Sequence, residues 1–366
     1  MRILIMVHNL TGGGAERAAA LWAKGFVDRG HTVGMILNCK KNTPVTYEVP
    51  ENVKIYNVYN FLASRIQIKF GINYFHIYKV RAIINEFNPD VAIGVMQPWA
   101  EIARKATIGG NTIIIHTDHS TLDLPEYAPK AKKKRLKYRY SHNNNYPITV
   151  LTNADKEWVK GIFKNVSVLP NPIAFEPVND IPQKDNIILA AGRLDGWHTK
   201  GFDLLIKAWG AIAKDYPDWK LQIAGKGKSK SREYLQSIAD DYNLNSQIEF
   251  LGYKDDMAPI YQRSSIFVLS SRYEGFGMVL IEAMSQGCAP IACNYKGRQR
   301  EIITSENEGI ICPVDDEQSI SIAIRKMIEN KSYRVLTQQN AIERSKNYNL
   351  DNIMERWTTI LKANIK

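Results

Sequence analysis

The chain has 366 residues, 45% of them hydrophobic, which is ordinary for an α/β protein and enough for two separate cores. It has no run of apolar residues of the length, about 18, that crosses a bilayer, so a spanning protein is excluded. The net charge of +11 is confined to the first half. Residues 1–172 hold 23 Lys and Arg against 12 Asp and Glu, whereas residues 173–366 hold 25 of each.

In the first half, short apolar β-branched runs alternate with helical stretches, the pattern of a parallel sheet covered on both faces. Strands are expected over 3–7, 33–38, 53–58, 91–95, 112–116, 148–151 and 166–169. The opening run is ended by His8 and Asn9, too early for a signal peptide, and reads as a first buried strand. After it comes Thr11-Gly12-Gly13-Gly14-Ala15-Glu16-Arg17, then a helical stretch over 18–27. Gly13 and Gly14 let backbone approach a ligand closely, and the helix that follows offers its N-terminal amides. The run is not G-x-G-x-x-G, and no acidic residue ends the second strand to hold a ribose, which argues against a dinucleotide-binding domain.

Residues 64–87 are basic and aromatic, with Lys69, Lys79 and Arg81 among apolar side chains. Part of this stretch alternates, so a helix is expected only from about residue 73. Thr117-Asp118-His119-Ser120 follows the fifth strand, at the carboxyl edge where open α/β sheets bind ligands. Residues 130–139 carry seven basic side chains in ten, including Lys132, Lys133, Lys134 and Arg135. Such runs are often solvated faces, yet this one lies in the half that holds all the net charge. With no nucleic-acid module beside it, an anionic membrane surface or an anionic acceptor is the expected partner.

Proline and polar residues from Pro170-Asn171-Pro172 to Pro182 have the composition of a linker. This divides the chain into domains 1–172 and 173–345, with a terminal helical segment over 346–366. The α/β alternation then restarts, with strands expected over 187–191, 221–224, 248–251, 266–269 and 289–292. Arg193 ends the first of these, and Lys200 follows a short loop. A guanidinium fork and an ammonium at one strand edge form a natural clamp for a diphosphate. The stretch Ser271-Arg272-Tyr273-Glu274-Gly275-Phe276-Gly277 then leads into a helix over 278–285 that contains Glu282. Glu274 and Glu282 can bracket an elongated ligand, each accepting hydrogen bonds from vicinal hydroxyls. No D-x-D-type acidic pair ends a strand, so no metal and no resident cofactor are expected. The four cysteines, Cys39, Cys288, Cys293 and Cys312, have no metal-ligand spacing and read as buried thiols of a reducing compartment.

The stations G-G-G-A-E-R, H-T-D-H-S, L-P-N-P-I, A-A-G-R-L-D with H-T-K-G, and E-x7-E enclosing G-F-G occur in order over nearly the whole chain. Together they resemble the retaining glycosyltransferases of family four. The resemblance implies the GT-B fold, two facing Rossmann-like domains with a cleft between them, with the terminal helix packing back on the first. It implies transfer of a hexose or N-acetylhexosamine from a nucleoside-diphosphate sugar, expected to be a UDP-sugar, to a glycan or lipid-linked acceptor. By resemblance His119, Gly13 and Gly14 would lie near the transferred sugar and its phosphates, and Asn171, also donor-binding, at the hinge edge of the cleft. Glu274 and the amides of Gly275, Phe276 and Gly277 would hold its hydroxyls, Glu282 the ribose, and Gly252 and Tyr253 the base. Arg193 and Lys200 would take the diphosphate, and the reaction would retain anomeric configuration without a metal.

Three rival readings stand beside this one. A glycoside hydrolase could use Glu274 and Glu282 as its two carboxyls, but the diphosphate clamp has no purpose there. A non-catalytic sugar-nucleotide-binding partner of another transferase would be expected to lose a station, and all are present. A mutase or epimerase on the same fold would need no acceptor. The expected location is the cytoplasm, peripheral on the inner face of the cell membrane.

Overall fold

The computed structural model describes residues 1–40, 42–70, 73–128, 130, 133, 146–163 and 165–365. They form two compact units, Met1–Pro172 with Leu350–Lys366, and Ile173–Asn349.

The first unit is built on a seven-stranded sheet in the order β3-β2-β1-β4-β5-β6-β7. Its strands are β1 (Arg2–Val7), β2 (Thr32–Leu37), β3 (Lys54–Asn57), β4 (Val91–Val95), β5 (Ile113–Thr117), β6 (Ile148–Val150) and β7 (Val166–Val168). All neighbours pair in parallel, and the central strands are buried on both faces, as their unbroken apolar runs require. One face packs Ile3, Ile5 and Val7 against the helices Gly14–Asp28 and Leu350–Asn364. Trp22 and Trp357 meet edge to face across them, with ring centroids 5.1 Å apart. Gly25 permits this approach, because a Cβ there would stand 2.6 Å from the Met354 side chain. The other face packs Leu4, Met6 and Ile36 beneath the helices Tyr74–Phe87 and Gln97–Ala106.

The second unit holds a six-stranded sheet in the order β10-β9-β8-β11-β12-β13, again parallel throughout. Its strands are β8 (Asp185–Ala191), β9 (Lys220–Ala224), β10 (Ile248–Gly252), β11 (Ser264–Leu269), β12 (Ala289–Cys293) and β13 (Ile310–Cys312). Every strand expected from the sequence is present within two residues of its expected ends. The edge strand β13 was not expected, since three apolar residues are too few to carry a period.

A second difference falls at Phe61–Phe70, which is helical although the sequence pointed to helix only from residue 73. Asn60 starts it by accepting the Ala63 N–H on its side-chain oxygen at 2.9 Å, a cap that the alternating apolar residues downstream obscured. Cys288, Cys293 and Cys312 are buried as expected, whereas Cys39 is only half-buried. Among the described residues no helix is long and apolar enough to cross a membrane.

Candidate active site

In the second unit the sheet order brings the carboxyl ends of β10, β9, β8 and β11 side by side. Arg193 stands at the end of β8, exposed, and its guanidinium makes no hydrogen bond among the described residues. Lys200 closes the short helix Trp197–Lys200, and its stem lies over Gly192. Its ammonium reaches Glu274 Oε2 at 2.6 Å, a part-buried ion pair. The same carboxylate oxygen accepts from Ser271 Oγ at 3.3 Å, and the other accepts from the Gly275 amide at 3.3 Å.

The loop carrying Glu274 is fixed from below by Arg272. Its guanidinium donates two hydrogen bonds to Asp203, at 2.7 and 2.8 Å, one to the His198 carbonyl at 2.7 Å, and one to Asp315. Arg272 N–H meets the Thr199 carbonyl at 2.9 Å, and Ser270 Oγ meets the Lys200 carbonyl at 2.9 Å. Gly201, at φ 65°, seals the contact, because a Cβ there would stand 1.9 Å from the Ser270 carbonyl oxygen. Two loops distant in sequence are thereby locked together, and that lock sets the distance between Lys200 and Glu274.

Gly277 caps the helix Met278–Ser285 in a left-handed conformation at φ 95°. Phe276 does not face the edge with its ring, which is buried edge to face on Tyr348 at 5.6 Å. Glu282, one turn into the helix, is 3% exposed and accepts from the Tyr261 hydroxyl at 3.2 Å. Gly252 ends β10 at φ 69°, and its carbonyl takes the Gly225 amide at 2.8 Å, while Tyr253 beside it is exposed.

In the first unit, Gly13 precedes the helix Gly14–Asp28 at φ 122°, and a Cβ there would lie 2.2 Å from Glu16 Oε2. The chain's own carboxylate therefore rests against the glycine loop, and burial pushes the Glu16 carboxyl above its usual range. His119 follows β5. Its ring lies against Trp22 of that helix, with centroids 5.3 Å apart. Nδ1 is 2.8 Å from Asn171 Oδ1 and Nε2 is 3.2 Å from Thr117 Oγ1. An Nδ1–H tautomer satisfies both, donating to Asn171 and accepting from Thr117. Burial drives the His119 pKa down to about 4, against the opposing pull of Asp118 and Asn171.

Two family models match the chain. Glycosyltransferase Family 4 covers residues 12–176, and Glycosyl transferases group 1 covers residues 173–346. The chain belongs to the family-four-like glycosyltransferases. It is 25% identical over 370 residues to an α-1,4-N-acetylgalactosaminyltransferase of Campylobacter jejuni whose name specifies an undecaprenol-diphosphate-linked acceptor, covering 99% of this chain and 98% of that one. Among solved structures, sucrose-phosphate synthase of Thermosynechococcus elongatus superposes with a TM-score of 0.80 at 18% identity, covering 99% and 98% of the two chains. The Anabaena protein HepE, solved with UDP and glucose, gives 0.77 at 18%, covering 98% and 99%. These neighbours show the GT-B fold, with two Rossmann-like parallel-sheet domains.

In this glycosyltransferase the second unit gathers Arg193, Lys200, Gly252, Tyr253, Glu274, Gly275, Phe276, Gly277 and Glu282 on or behind one sheet edge. The first unit gathers Gly13, Gly14, His119 and Asn171. The described basic residues are engaged separately. Arg81 donates to the carbonyls of Lys105 and Ala106, closing the end of a neighbouring helix rather than standing free for an acceptor. Lys79 lies over the Phe75 ring at 5.9 Å, and Lys133 donates to the Glu126 carbonyl. Lys132, Lys134, Arg135 and the side chain of Lys69 lie outside the described residues.

Sequence reasoning missed two parts of the second unit's sheet edge. Arg272 stood inside the quoted motif without a role, since its partners are 69 and 43 residues away. Ala224-Gly225-Lys226-Gly227-Lys228 was passed over, although two glycines after a strand are a visible signal. Gly225 lies so close to Gly192 that a Cβ would stand 1.8 Å from its carbonyl oxygen, and Lys226 accepts the Leu194 amide on its own carbonyl. That packing places the exposed Lys226 beside Arg193. Among the described residues no group of three or more His, Cys, Asp or Glu is placed to hold a metal ion.

Replacing Arg272 by Lys removes the fork that Asp203 accepts and leaves a buried carboxylate poorly paired. Breaking such a pair costs roughly 3–5 kcal/mol. Chemical denaturation should show a loss of that order for R272K, well beyond that for an exposed control such as K331A. His119 provides a pH test. Its folded pKa lies below its unfolded value of 6.5. The unfolded chain therefore binds more protons between pH 6.5 and about 4. The contribution of His119 is full above pH 6.5 and is lost as pH falls towards 4, so the wild type should lose thermal stability relative to H119Q across that window.

Proposed function

We propose that the chain is a retaining glycosyltransferase that moves a hexose or N-acetylhexosamine from a nucleoside-diphosphate sugar, with UDP the expected nucleotide, to a glycan or lipid-diphosphate-linked acceptor. The observation that carries this is the sheet edge where Lys200 meets Glu274 at 2.6 Å and where β8 leads into the exposed Arg193. A cation held by a carboxylate that is itself suited to sugar hydroxyls is a switchable arrangement. A diphosphate would draw the Lys200 ammonium onto its oxygens and release Glu274 to the hydroxyls of the transferred ring.

In the reaction, the bond between the anomeric carbon and a phosphate oxygen breaks, and negative charge collects on that oxygen. Arg193 and Lys200 stabilise this charge more than the ground state, which lowers the barrier. The acceptor oxygen forms the new bond on the face the phosphate leaves, and its proton passes to the departing phosphate. The two cations supply the charge stabilisation that a metal ion provides elsewhere, so none is needed.

The Campylobacter jejuni relative supports a lipid-diphosphate acceptor through its name, and HepE supports UDP through the ligand in its structure. The excess of basic residues over 1–172 supports attachment to an anionic surface on the cytoplasmic side, since each Lys or Arg near such a leaflet contributes about 1 kcal/mol.

A panel of nucleotides scored by thermal unfolding tests the donor. A ligand at 100 times its Kd adds roughly 2.7 kcal/mol of stability, and a uridine nucleotide should produce it. K200A should cut turnover by about a hundredfold or more. Turnover should persist in EDTA, and abolition by chelation with rescue by magnesium would overturn the metal-free mechanism. For the membrane, sedimentation with anionic vesicles should weaken as salt rises, because exposed charges are screened beyond about 8 Å at physiological salt. The variant with Lys132, Lys133, Lys134 and Arg135 all changed to glutamine should bind vesicles less while keeping its nucleotide response. Equal sedimentation of variant and parent would rule the attachment out.

A further inference from the structure

On the face of the first sheet covered by the helix Tyr74–Phe87, the apolar layer stops before the strands' carboxyl ends, and a polar cluster replaces it. Strand β1 contributes Leu4 and Met6 to that layer, and His8 comes next in the same alternating row. Strand β2 contributes Ile36 and then the buried Asn38, whose Oδ1 accepts from Ser64 Oγ at 3.4 Å. The helix lays Val80, Ile84 and Phe87 along the layer. The Phe87 carbonyl accepts from Arg2 Nε at 2.7 Å at the amino end of β1, so the opposite end of the helix lies at the carboxyl edge.

His76 sits at that end, one turn before Val80, and is wholly buried. Both of its ring nitrogens are shut away from water without a hydrogen-bond partner, and so is Oδ1 of Asn73. Buried polar atoms are almost always paired, because leaving them unpaired is costly. Three unpaired atoms at the start of one helix, with His8 near enough for its charge to act on the His76 ring, have the character of a site prepared for hydroxyl groups.

We infer that His76, Asn73 and His8 form a subsite for an uncharged sugar ring, the acceptor sugar of the transfer proposed above. The inference rests on that reading for the word acceptor, but the site is argued on its own atoms. A neutral imidazole offers one donor and one acceptor, which is the complement of a hydroxyl group. Burial and the neighbouring His8 both hold the His76 ring in its neutral form. Oδ1 of Asn73 accepts only and would repel an anion. The described cations on the same helix are engaged elsewhere, Arg81 on carbonyls and Lys79 over Phe75. Among the described residues of this helix an anionic headgroup would therefore find no open positive partner, whereas a pair of ring hydroxyls would satisfy every open atom.

The test uses the full-length protein with 15N-labelled histidine, without nucleotide. Methyl glycosides of glucose, galactose, N-acetylglucosamine and N-acetylgalactosamine are titrated while the His76 and His8 ring signals are followed, with inorganic phosphate as a separate arm. At least one glycoside should shift both signals saturably, and phosphate should not. H76F removes an unpaired buried imidazole in favour of a ring of similar size, so it should raise the unfolding temperature. It should also weaken the glycoside response on the His8 signal at least tenfold. H8Q, on an exposed position, should weaken the response on His76 even if H76F fails to fold. A response to phosphate alone, no response to any glycoside, or an H76F protein that is less stable yet binds glycoside unchanged would each overturn the inference. UDP-induced stabilisation measured on the same samples keeps the two readings apart. UDP binding without a glycoside response sinks the subsite alone, and a glycoside response without any nucleotide effect sinks the donor assignment alone.

Discussion

The sheet edge of the second unit depends on one buried cation. Arg272 binds Asp203 through both arms of its fork, holds the His198 carbonyl and reaches Asp315, so three segments of the second unit converge on a single side chain. None of these groups is suited to chemistry, being buried or already paired. Their effect is positional. With Gly201 pressed on the Ser270 carbonyl, they fix the loop that ends in Lys200 against the loop that carries Glu274. A guanidinium suits this task better than an ammonium, because a planar fork fixes direction as well as distance.

That rigidity gives the Lys200–Glu274 pair its meaning. On a mobile surface, an ion pair at 2.6 Å would contribute little and select nothing. Held at the end of a parallel sheet, near a glycine-capped helix, the same pair suits the proposed ligand, which carries both negative charge and hydroxyls. A nucleoside-diphosphate sugar carries both within one molecule. The first unit uses a complementary principle. His119 is kept neutral by burial against Trp22, and Asn171 and Thr117 hold its two ring nitrogens, so it carries no charge.

Much of this was legible in the sequence, for definable reasons. Strands buried on both faces write unbroken β-branched runs, so the two sheets were visible apart from β13, whose three residues carry no period. Residues such as His119 after a strand and Glu274 before a helix were singled out because the turn that carries each is encoded nearby. Arg272 was passed over because its importance lies in partners far along the chain. His76 was hidden differently. It falls among Ile77, Tyr78 and Val80 in a stretch that reads as basic and aromatic, and only the packed helix shows that its ring is buried with nothing to bond. Nor does charge density reveal that Arg81 donates to two carbonyls at the end of a neighbouring helix.

The central claim is that Lys200 changes partners, leaving Glu274 for a diphosphate. The most direct measurement is a crystal structure of the protein with UDP bound, at a resolution that places the lysine ammonium. The Lys200 nitrogen should then lie within hydrogen-bond distance of a phosphate oxygen, with Arg193 on the same diphosphate and Glu274 no longer on the lysine. A structure in which UDP is bound while Lys200 stays on Glu274 and the diphosphate rests elsewhere would contradict it.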